Sequence, residues 1–397
     1  MNDYKNNYPT LLIHGFAGWG EDDGMSKYFN YWGMVGSRRL LPHLRAEGYE
    51  VYAPSLGPFC SAWDRACEIY AYIFGGTVDY GKVHSQKYNH KRFGRHYPGV
   101  LKDLGKTEAH KKVNLYGHSF GGPTVTMFSW IMTEGCKEEL DATPADEVSD
   151  FFKGGKGDML HTVSTLSATN RGTAATVFAG DKLLHTISKV LMTAGAYAGD
   201  MINNVYDLYF DPWGAMEDPA LCKSKALGKD METKKAGITA YAEAYDGGNI
   251  WYEMKPSVSD AMLAGWKANP KTYYIAHPAC GTHPTKAGTQ SPDGHIFPLF
   301  KITGWILGNY TNKNAGIDKN WLPNDGIVNT PSMGAPAGVE EIKWTPGMDP
   351  IKPGVWHVLP AQNWDHQGWA GMFISKATYY DTLDSILESI YALPDIK

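Results

Sequence analysis

The sequence predicts an α/β fold in which a mostly parallel central sheet carries helices on both faces. Short apolar runs typical of buried strands alternate with segments whose apolar residues recur at helical spacing. This alternation is typical of parallel sheets, because a parallel strand pair needs a long crossover that is usually a helix. The 397 residues, 43% of them hydrophobic, can bury a large core; the length would permit two or three domains, but one sheet with long insertions fits it equally well.

The elements of this sheet can be placed along the chain from their apolar patterns and from the glycine and proline residues that end them. A C-terminal amphipathic helix is expected from the apolar stripe that runs from Leu383 to Leu393, and Pro394 limits it. The predicted elements, in order, are strand 10–13, helix 38–47, strand 49–53, strand 113–116, helix 123–132, strand 160–166 and strand 271–276.

The charge balance and the cysteine content narrow the class of protein. A net charge of −5, from 37 basic and 42 acidic residues, provides no basic patch, so we expect no nucleic-acid partner. Five cysteines without paired spacing allow one disulfide at most. No apolar run reaches the length of a transmembrane segment, and the first residues lack a signal segment, which indicates either a cytoplasmic protein or a mature secreted form given a start methionine.

A Gly-x-Ser-x-Gly motif lies between the predicted strand 113–116 and the helix that follows it. The motif centres on Ser119 and requires a turn so tight that the serine backbone is strained. Gly117 and Gly121 remove the Cβ atoms that would clash with this turn. With a strand before it and a helix after it, we interpret Ser119 as a nucleophile rather than as a chance match.

The first predicted strand runs into His14-Gly15-Phe16, a glycine-bearing loop suited to an oxyanion hole. Such a site needs backbone N–H groups aimed at the oxygen on which negative charge develops. We assign the amides of Phe16 and of Phe120, the residue after the nucleophile, as the two donors. We expect a structural role for His14, because this loop geometry asks only for its backbone.

Two later turns supply partners for the serine. Asp325 lies in a turn before an apolar run, and His366 lies in a loop after another apolar run. The order Ser119, Asp325, His366 is the order in which an α/β-hydrolase sheet presents its catalytic residues. Asp365 is a competitor for the acid, but it adjoins His366 and cannot easily turn back to the same imidazole.

Three long stretches break the alternating pattern. Residues 54–98 and 206–252 are aromatic, polar and irregular, and we interpret them as insertions into the sheet. The first contains Asp64, His84 and His90, whose spacing alone favours exposed loop histidines over a metal site. The apolar segment 173–199 has helical spacing and fits either core packing or a mobile amphipathic cover over an apolar cleft.

Taken together, these segments resemble the true lipases of the thermoalkalophilic Bacillus and Geobacillus group and their staphylococcal relatives. The resemblance covers most of the chain and is most specific at two segments around residues 75–81 and 324–330. It is carried by Leu12-Ile13-His14-Gly15-Phe16, Trp63-Asp64-Arg65-Ala66-Cys67-Glu68, Gly75-Gly76-Thr77-Val78-Asp79-Tyr80-Gly81, Arg92-Phe93-Gly94-Arg95 and Asn324-Asp325-Gly326-Ile327-Val328-Asn329-Thr330.

The resemblance implies a single α/β-hydrolase domain over 1–397, with a helical lid at about 173–199 and a triad of Ser119, Asp325 and His366. It also implies a structural zinc held between the insertions 54–98 and 206–252, with Asp64, His84 and His90 on three of its four ligand positions. For the fourth we choose Asp246, with Glu243 and Glu253 as competitors. An extracellular location is a further implication of the family.

The sequence departs from the family at two points. The run 367–373 after the catalytic histidine position contains no carboxylate, so we expect the calcium site found in many relatives to be missing. Phe120 stands where relatives carry glutamine, which leaves the backbone donor intact and makes the cleft floor more apolar.

The expected activity is hydrolysis of carboxylic esters through an acyl-enzyme. The resemblance implies long-chain acylglycerols as substrates, met at a lipid–water interface through the lid, while an aromatic cleft could also admit short esters or polyester chains. Two alternatives stay open at this point: a metal-dependent hydrolase in which Asp64, His84 and His90 carry catalysis, and a non-catalytic binding protein with a hydrolase fold.

Overall fold

The computed structural model describes residues 6–34, 39–203, 205–213, 216–217, 225–226 and 231–396. Part of the predicted insertion 206–252 and the first residue of the predicted helix 38–47 therefore lie outside the described residues. Within the described part of the chain, no helix has the length and apolarity that crossing a membrane would require.

A seven-stranded sheet forms the centre of the molecule, and all of its neighbouring strands run parallel. Its central strand, Leu160–Leu166, and the neighbouring strand Val113–His118 are buried along their whole length, as expected where helices cover both faces. The predicted fold class is thereby confirmed. The strands are β1 Thr10–Ile13, β2 Val51–Tyr52, β3 Val113–His118, β4 Leu160–Leu166, β5 Tyr273–His277, β6 Glu341–Lys343 and β7 Trp356–Val358, in the spatial order β6-β7-β5-β4-β3-β1-β2.

Helices connect the strands and fill the insertions. In the part of the chain that the structure describes, three two-stranded sheets accompany them: Gly76–Asp79 with Phe93–Tyr97, Met216–Glu217 with Lys225–Ala226, and Thr282–Pro284 with Gln290–Pro292. The helices are α1 Leu40–Ala46, α2 Ala62–Phe74, α3 Lys82–Lys87, α4 Gly121–Glu134, α5 Lys137–Ala142, α6 Ala174–Ala179, α7 Asp181–Asn203, α8 Met231–Ala242, α9 Ile250–Glu253, α10 Pro256–Met262, α11 Pro298–Asn309 and α12 Lys376–Tyr391.

The two faces of the sheet carry separate cores, because successive side chains of a strand point to opposite faces. In β1, Leu11 and Ile13 pack with α2 and α4 in one hydrophobic cluster. Leu12 points the other way and packs with α1 and the predicted C-terminal helix, which forms as α12. The apolar stripe of α12 thus serves the core, as the sequence indicates.

The apolar segment 173–199 forms two helices, α6 and α7, rather than one. Gly180, with a φ of 76°, breaks the segment, and α7 continues to Asn203. Leu184 and Met192 are buried, whereas Leu183 and Val190 on another face are 48% and 63% exposed. Helix α7 therefore has a buried face and a second, exposed apolar face.

Candidate active site

The serine motif forms a sharp turn between the end of β3 at His118 and the start of α4 at Gly121. Ser119 has a φ of 57°, a left-handed conformation that costs a non-glycine residue about 1 kcal/mol or more. A Cβ on Gly117 would lie 2.2 Å from the Gly121 carbonyl oxygen, and one on Gly121 would lie 2.4 Å from the Ile13 carbonyl oxygen. Glycine at both positions is therefore a steric requirement of the turn.

The structure brings Ser119, His366 and Asp325 together in one hydrogen-bonded chain. The Oγ of Ser119 lies 2.9 Å from Nε2 of His366, and Nδ1 of the same ring lies 2.8 Å from Oδ2 of Asp325. Oδ1 of the carboxylate accepts the backbone amides of Ile327 (3.0 Å) and Val328 (2.8 Å). Because these amides hold Oδ1, Oδ2 remains for the imidazole, which then carries its proton on Nδ1 and accepts the serine hydroxyl proton on Nε2.

The competing acid, Asp365, is bound elsewhere. One of its carboxylate oxygens accepts the Gln367 amide at 3.0 Å, and the other accepts the Phe297 amide at 3.1 Å. Burial raises the pKa of this carboxyl group. Asp365 therefore stabilises the turn that carries His366. Neither of these two hydrogen bonds involves the imidazole of His366.

The loop after β1 lies directly against the serine. A Cβ on Gly15 would lie 2.6 Å from the Ser119 Cβ, so only glycine permits this approach. Among the described residues, neither the Phe16 amide nor the Phe120 amide donates a hydrogen bond to a protein acceptor, whereas the Ala17 amide donates to the Pro58 carbonyl. Two backbone donors beside the serine are thus left for a ligand.

Two buried side chains fix this loop. The His14 ring contacts the Leu56 amide through Nε2 and lies 2.9 Å from the Gly15 carbonyl through Nδ1, and burial lowers its pKa well below the usual value. The guanidinium of Arg65 donates to the carbonyl of His14 and to Oγ1 of Thr124. The sequence analysis assigned no role to Arg65. Its position in the segment Trp63-Asp64-Arg65-Ala66-Cys67-Glu68, which carries part of the family resemblance, could have indicated one.

Asp64, His84 and His90 converge on one point, each offering one ligand atom, with these atoms all within 4.8 Å of one another. Oδ1 of Asp64 lies 3.1 Å from Nε2 of His84 and 3.7 Å from Nε2 of His90. The two side chains are only 10% and 0% exposed, so the expectation of exposed loop histidines, drawn from spacing alone, was wrong. Nε2 of His90 is buried and has no hydrogen-bond partner among the described residues.

Asp246 does not join this cluster. Its side chain is 68% exposed and pairs with Nζ of Lys87 at 3.0 Å, because it lies in a surface turn before α9. Glu243 is also exposed. The structure therefore does not place Asp246, the predicted fourth ligand, beside Asp64, His84 and His90.

Glu253, the remaining competitor, is buried at the end of α9 and accepts the Ala62 amide at 2.7 Å. Burial and the nearby charge of Asp64 raise the pKa of Glu253 to about 8. Its other carboxylate oxygen accepts the Gly248 amide at 3.2 Å. Glu253 is thus the buried competitor, although it is not part of the group in which Asp64, His84 and His90 converge.

The fold and the site together define an α/β-hydrolase: a parallel sheet whose strand-to-helix turn presents a serine, with an aspartate and a histidine following in chain order. The family model described as "Lipase-like, C-terminal domain" matches residues 6–386, and the chain belongs to this family.

Curated relatives include a lipase of Staphylococcus epidermidis, 31% identical over 381 residues that cover 94% of this chain and 51% of the relative. Lipase 1 of Staphylococcus aureus is 30% identical over 375 residues, covering 94% of this chain and 52% of the relative. The chain thus spans about half the length of these relatives.

Solved structures that the chain is similar to include Staphylococcus hyicus lipase, with a TM-score of 0.84 at 28% identity over 98% of this chain and 97% of that one. EstA from Clostridium botulinum matches with a TM-score of 0.80 at 32% identity, covering 99% and 89% of the two chains. Lipase 1 from Pelosinus fermentans matches with a TM-score of 0.76 at 30% identity, covering 96% and 99%. The resemblance to the staphylococcal group is confirmed.

Proposed function

We propose that this protein hydrolyses carboxylic esters as a lipase or esterase, through an acyl-enzyme on Ser119. The observation that carries the proposal is the continuous chain from the serine hydroxyl through the His366 ring to the Asp325 carboxylate, at 2.9 and 2.8 Å. A hydroxyl paired with an oriented base is what converts serine into a nucleophile at neutral pH. The family membership supports the same reaction class.

In the first half of the reaction, Oγ of Ser119 attacks the ester carbonyl carbon while its proton passes to Nε2 of His366. The tetrahedral intermediate expels the alcohol, which takes the proton from the imidazolium, and the acyl group stays on the serine. Water then repeats the sequence: His366 takes its proton, the hydroxide attacks the acyl carbon, and the acid leaves as the serine regains its proton. Asp325 holds the ring tautomer and stabilises the imidazolium throughout.

The free amides of Phe16 and Phe120 would receive the negative charge that forms on the carbonyl oxygen. They are backbone groups on rigid turns, so no reorganisation is needed when the charge develops. Such a donor is typically worth about 2.7–4 kcal/mol in the transition state. Their lack of acceptors among the described residues supports this role.

Replacement of Ser119 by alanine tests the proposed reaction. Turnover of a short-chain nitrophenyl ester should fall by at least about 1000-fold, because the nucleophile is removed and only binding and the oxyanion donors remain. The thermal unfolding midpoint should stay close to that of the parent protein. Activity retained in a folded Ser119→Ala protein would refute the assignment.

Water-insoluble esters, such as long-chain acylglycerols or polyesters, are the substrates we propose for this site. Ser119 and His366 are only 5% and 4% exposed, so the two reacting groups are nearly covered in this structure. Helix α7, with its exposed Leu183 and Val190, is our proposed cover, since an apolar outer face is stabilised at an ester–water interface. Initial rates should rise sharply when an ester exceeds its solubility limit; rates that only saturate would contradict the moving cover.

An extracellular location, which the family resemblance implies, stays a proposal.

A structural zinc is our proposal for the Asp64 cluster. Three of the residues fit: Asp64 offers a buried carboxylate oxygen to two imidazoles, and Nε2 of His90 is buried without a hydrogen-bond partner among the described residues. Glu253, whose carboxylate oxygens now accept the Ala62 and Gly248 amides, would supply the second carboxylate of the four-coordinate shell that structural zinc prefers. The ion would hold α2, α3 and α9 together and would leave no position for a reacting water.

That the calcium site of the family is missing from this protein stays a prediction, based on the lack of carboxylates in residues 367–373. In the run after His366, the indole of Trp369 is buried and donates to Oγ of Ser167 at 2.9 Å.

A further inference from the structure

We propose that Tyr31 and His118 are positioning residues for the ester hydrolysis proposed above, and that they hold the loop of the catalytic histidine and the loop of the oxyanion donors in register. The proposal rests on that proposed function. Its basis is a buried chain of three hydrogen bonds that joins Gly15, Tyr31, His118 and His366.

The three bonds are short and lie in the interior. The Gly15 amide donates to the Tyr31 hydroxyl at 2.9 Å, and this hydroxyl lies 2.6 Å from Nδ1 of His118. Nε2 of His118 lies 2.9 Å from the carbonyl oxygen of His366. The side chains of Tyr31 and His118 are 4% and 0% exposed, so water does not compete for these bonds.

The two ends of this series of hydrogen bonds determine which atom donates in each bond. The Gly15 amide can only donate, so the Tyr31 oxygen accepts; the His366 carbonyl can only accept, so Nε2 of His118 donates. Burial, together with the charge of His366, lowers the pKa of His118 well below its usual value, which keeps this ring neutral. A neutral ring protonated on Nε2 has an acceptor at Nδ1, and the Tyr31 hydroxyl donates to it. Each donor and each acceptor in this series of hydrogen bonds therefore has one defined partner.

The chain restrains His366 at a third place. Its amide donates to the Asp325 carbonyl at 2.9 Å, its Nδ1 pairs with the Asp325 carboxylate, and its carbonyl oxygen accepts from His118. The first two bonds tie His366 to the acid loop only. The bond from His118 ties it to β3, whose next residue is Ser119. His118 thus ties the backbone of the catalytic histidine to the strand that carries the nucleophile.

Tyr31 extends this restraint to the oxyanion loop. Its hydroxyl binds the Gly15 amide, and Gly15 immediately precedes Phe16, whose amide is one of the proposed oxyanion donors. Loss of the hydroxyl therefore removes a restraint from the donor loop and leaves His118 free to move its proton to Nδ1. In that tautomer the ring no longer donates to the His366 carbonyl.

Tyr31→Phe is the decisive substitution, with Tyr391→Phe as the matched control. The Tyr391 hydroxyl is also buried and also makes two hydrogen bonds, to the Tyr8 carbonyl and to Oγ1 of Thr10, but at the opposite end of β1. Both variants should lower the thermal unfolding midpoint by a similar amount. Only Tyr31→Phe should lower kcat on a soluble ester, by about tenfold, with KM changed less than about twofold, since small misplacements of reacting groups act on turnover.

A conservative pair at position 118 provides a second readout. His118→Gln keeps an N–H donor near the place of Nε2, whereas His118→Phe keeps the ring shape and removes the donor. We expect His118→Phe to lower kcat and the rate of inactivation by a serine-directed phosphonate by about 30-fold, and His118→Gln to recover most of both, because an unsatisfied buried carbonyl is costly.

Two results would overturn the positioning role: equal loss of kcat in Tyr31→Phe and Tyr391→Phe, which a general loss of packing produces, or unchanged kcat in Tyr31→Phe. If the His118 variants do not fold, the comparison of Tyr31→Phe with Tyr391→Phe is sufficient to test the positioning role. Ser119→Ala is measured in parallel. If Ser119→Ala keeps its activity, the proposed function fails; if it is inactive while Tyr31→Phe turns over like the parent, only the positioning role fails.

Discussion

The Asp325–His366 pair and the Asp64–His84–His90 cluster are built from the same two kinds of side chain, but their polar atoms are satisfied differently. In the first, both nitrogens of His366 have one partner each, and Asp325 receives two backbone amides besides the ring. In the second, two imidazoles face one oxygen of Asp64, and Nε2 of His90 has no partner among the described residues.

This difference separates two possible roles of a buried histidine, proton transfer and metal binding. A chain in which each group has one donor and one acceptor carries a proton in a defined direction, as general-base chemistry requires. Two imidazoles that converge on one carboxylate oxygen leave a nitrogen without a partner, and we propose that a cation fills this place. Removal of one partner at a time should separate these two arrangements.

The largest effect should come from Asp325→Asn, with Asp365→Asn as its control. An amide at position 325 disfavours the tautomer in which Nδ1 carries the proton, so kcat on a soluble ester should fall by about 10⁴-fold. Asp365 accepts backbone amides through the bonds described, and Asn keeps one side-chain oxygen that can accept such an amide, so its variant should stay within about tenfold of the parent protein. Similar losses in both variants would contradict the choice of acid.

Metal removal should produce the second-largest effect, and on stability rather than on chemistry. A zinc chelator should lower the thermal unfolding midpoint by about 5 °C or more, because ligands that bind only the folded state contribute their binding free energy to it. Ester turnover at low temperature should persist. Immediate loss of turnover on chelation, with unchanged unfolding, would favour a catalytic metal instead.

The control for metal removal is a pair of histidine variants. His90→Ala should no longer respond to the chelator. His161→Ala, which removes a buried histidine outside the cluster, should respond like the parent protein. Equal responses of the two variants would place the bound metal elsewhere.

A smaller effect should separate Glu253→Gln from Asp246→Asn. If Glu253 completes the shell, its amide variant should bind zinc at least about 100-fold more weakly in competition with a chromophoric chelator, since even outer-shell changes cost 10–100-fold. Asp246 contacts Lys87 at the surface, so its variant should bind zinc like the parent protein. The reverse order would restore Asp246 as a ligand.

The serine turn could be predicted because its constraint is local. A strand, two glycines around Ser119 and a following helix determine the backbone path within a few residues, and no distant contact is needed to read it. The order of Ser119, Asp325 and His366 could be predicted too, since parallel strands end at the same edge of the sheet. The structure brings those three side chains within hydrogen-bonding distance.

The surroundings of the site could not be predicted in the same way. Asp246 and Glu253 are close in sequence, and only the packing of α9 turns one into the interior and leaves the other at the surface. The break at Gly180 and the two faces of α7 depend on what packs against each helix. The partner of His118 is a tyrosine 87 positions away.

By itself, the sequence determined the fold class, the serine turn and the kinds of side chain that the site would use, because these follow from short-range patterns of apolar residues, glycines and turns. The tertiary structure alone decided which carboxylate faces which imidazole, which histidine nitrogen is left without a partner, and which loops are tied to the catalytic histidine. Those outcomes depend on packing between segments far apart in the chain, which buries the Glu253 carboxylate and leaves Asp246 in an exposed ion pair with Lys87.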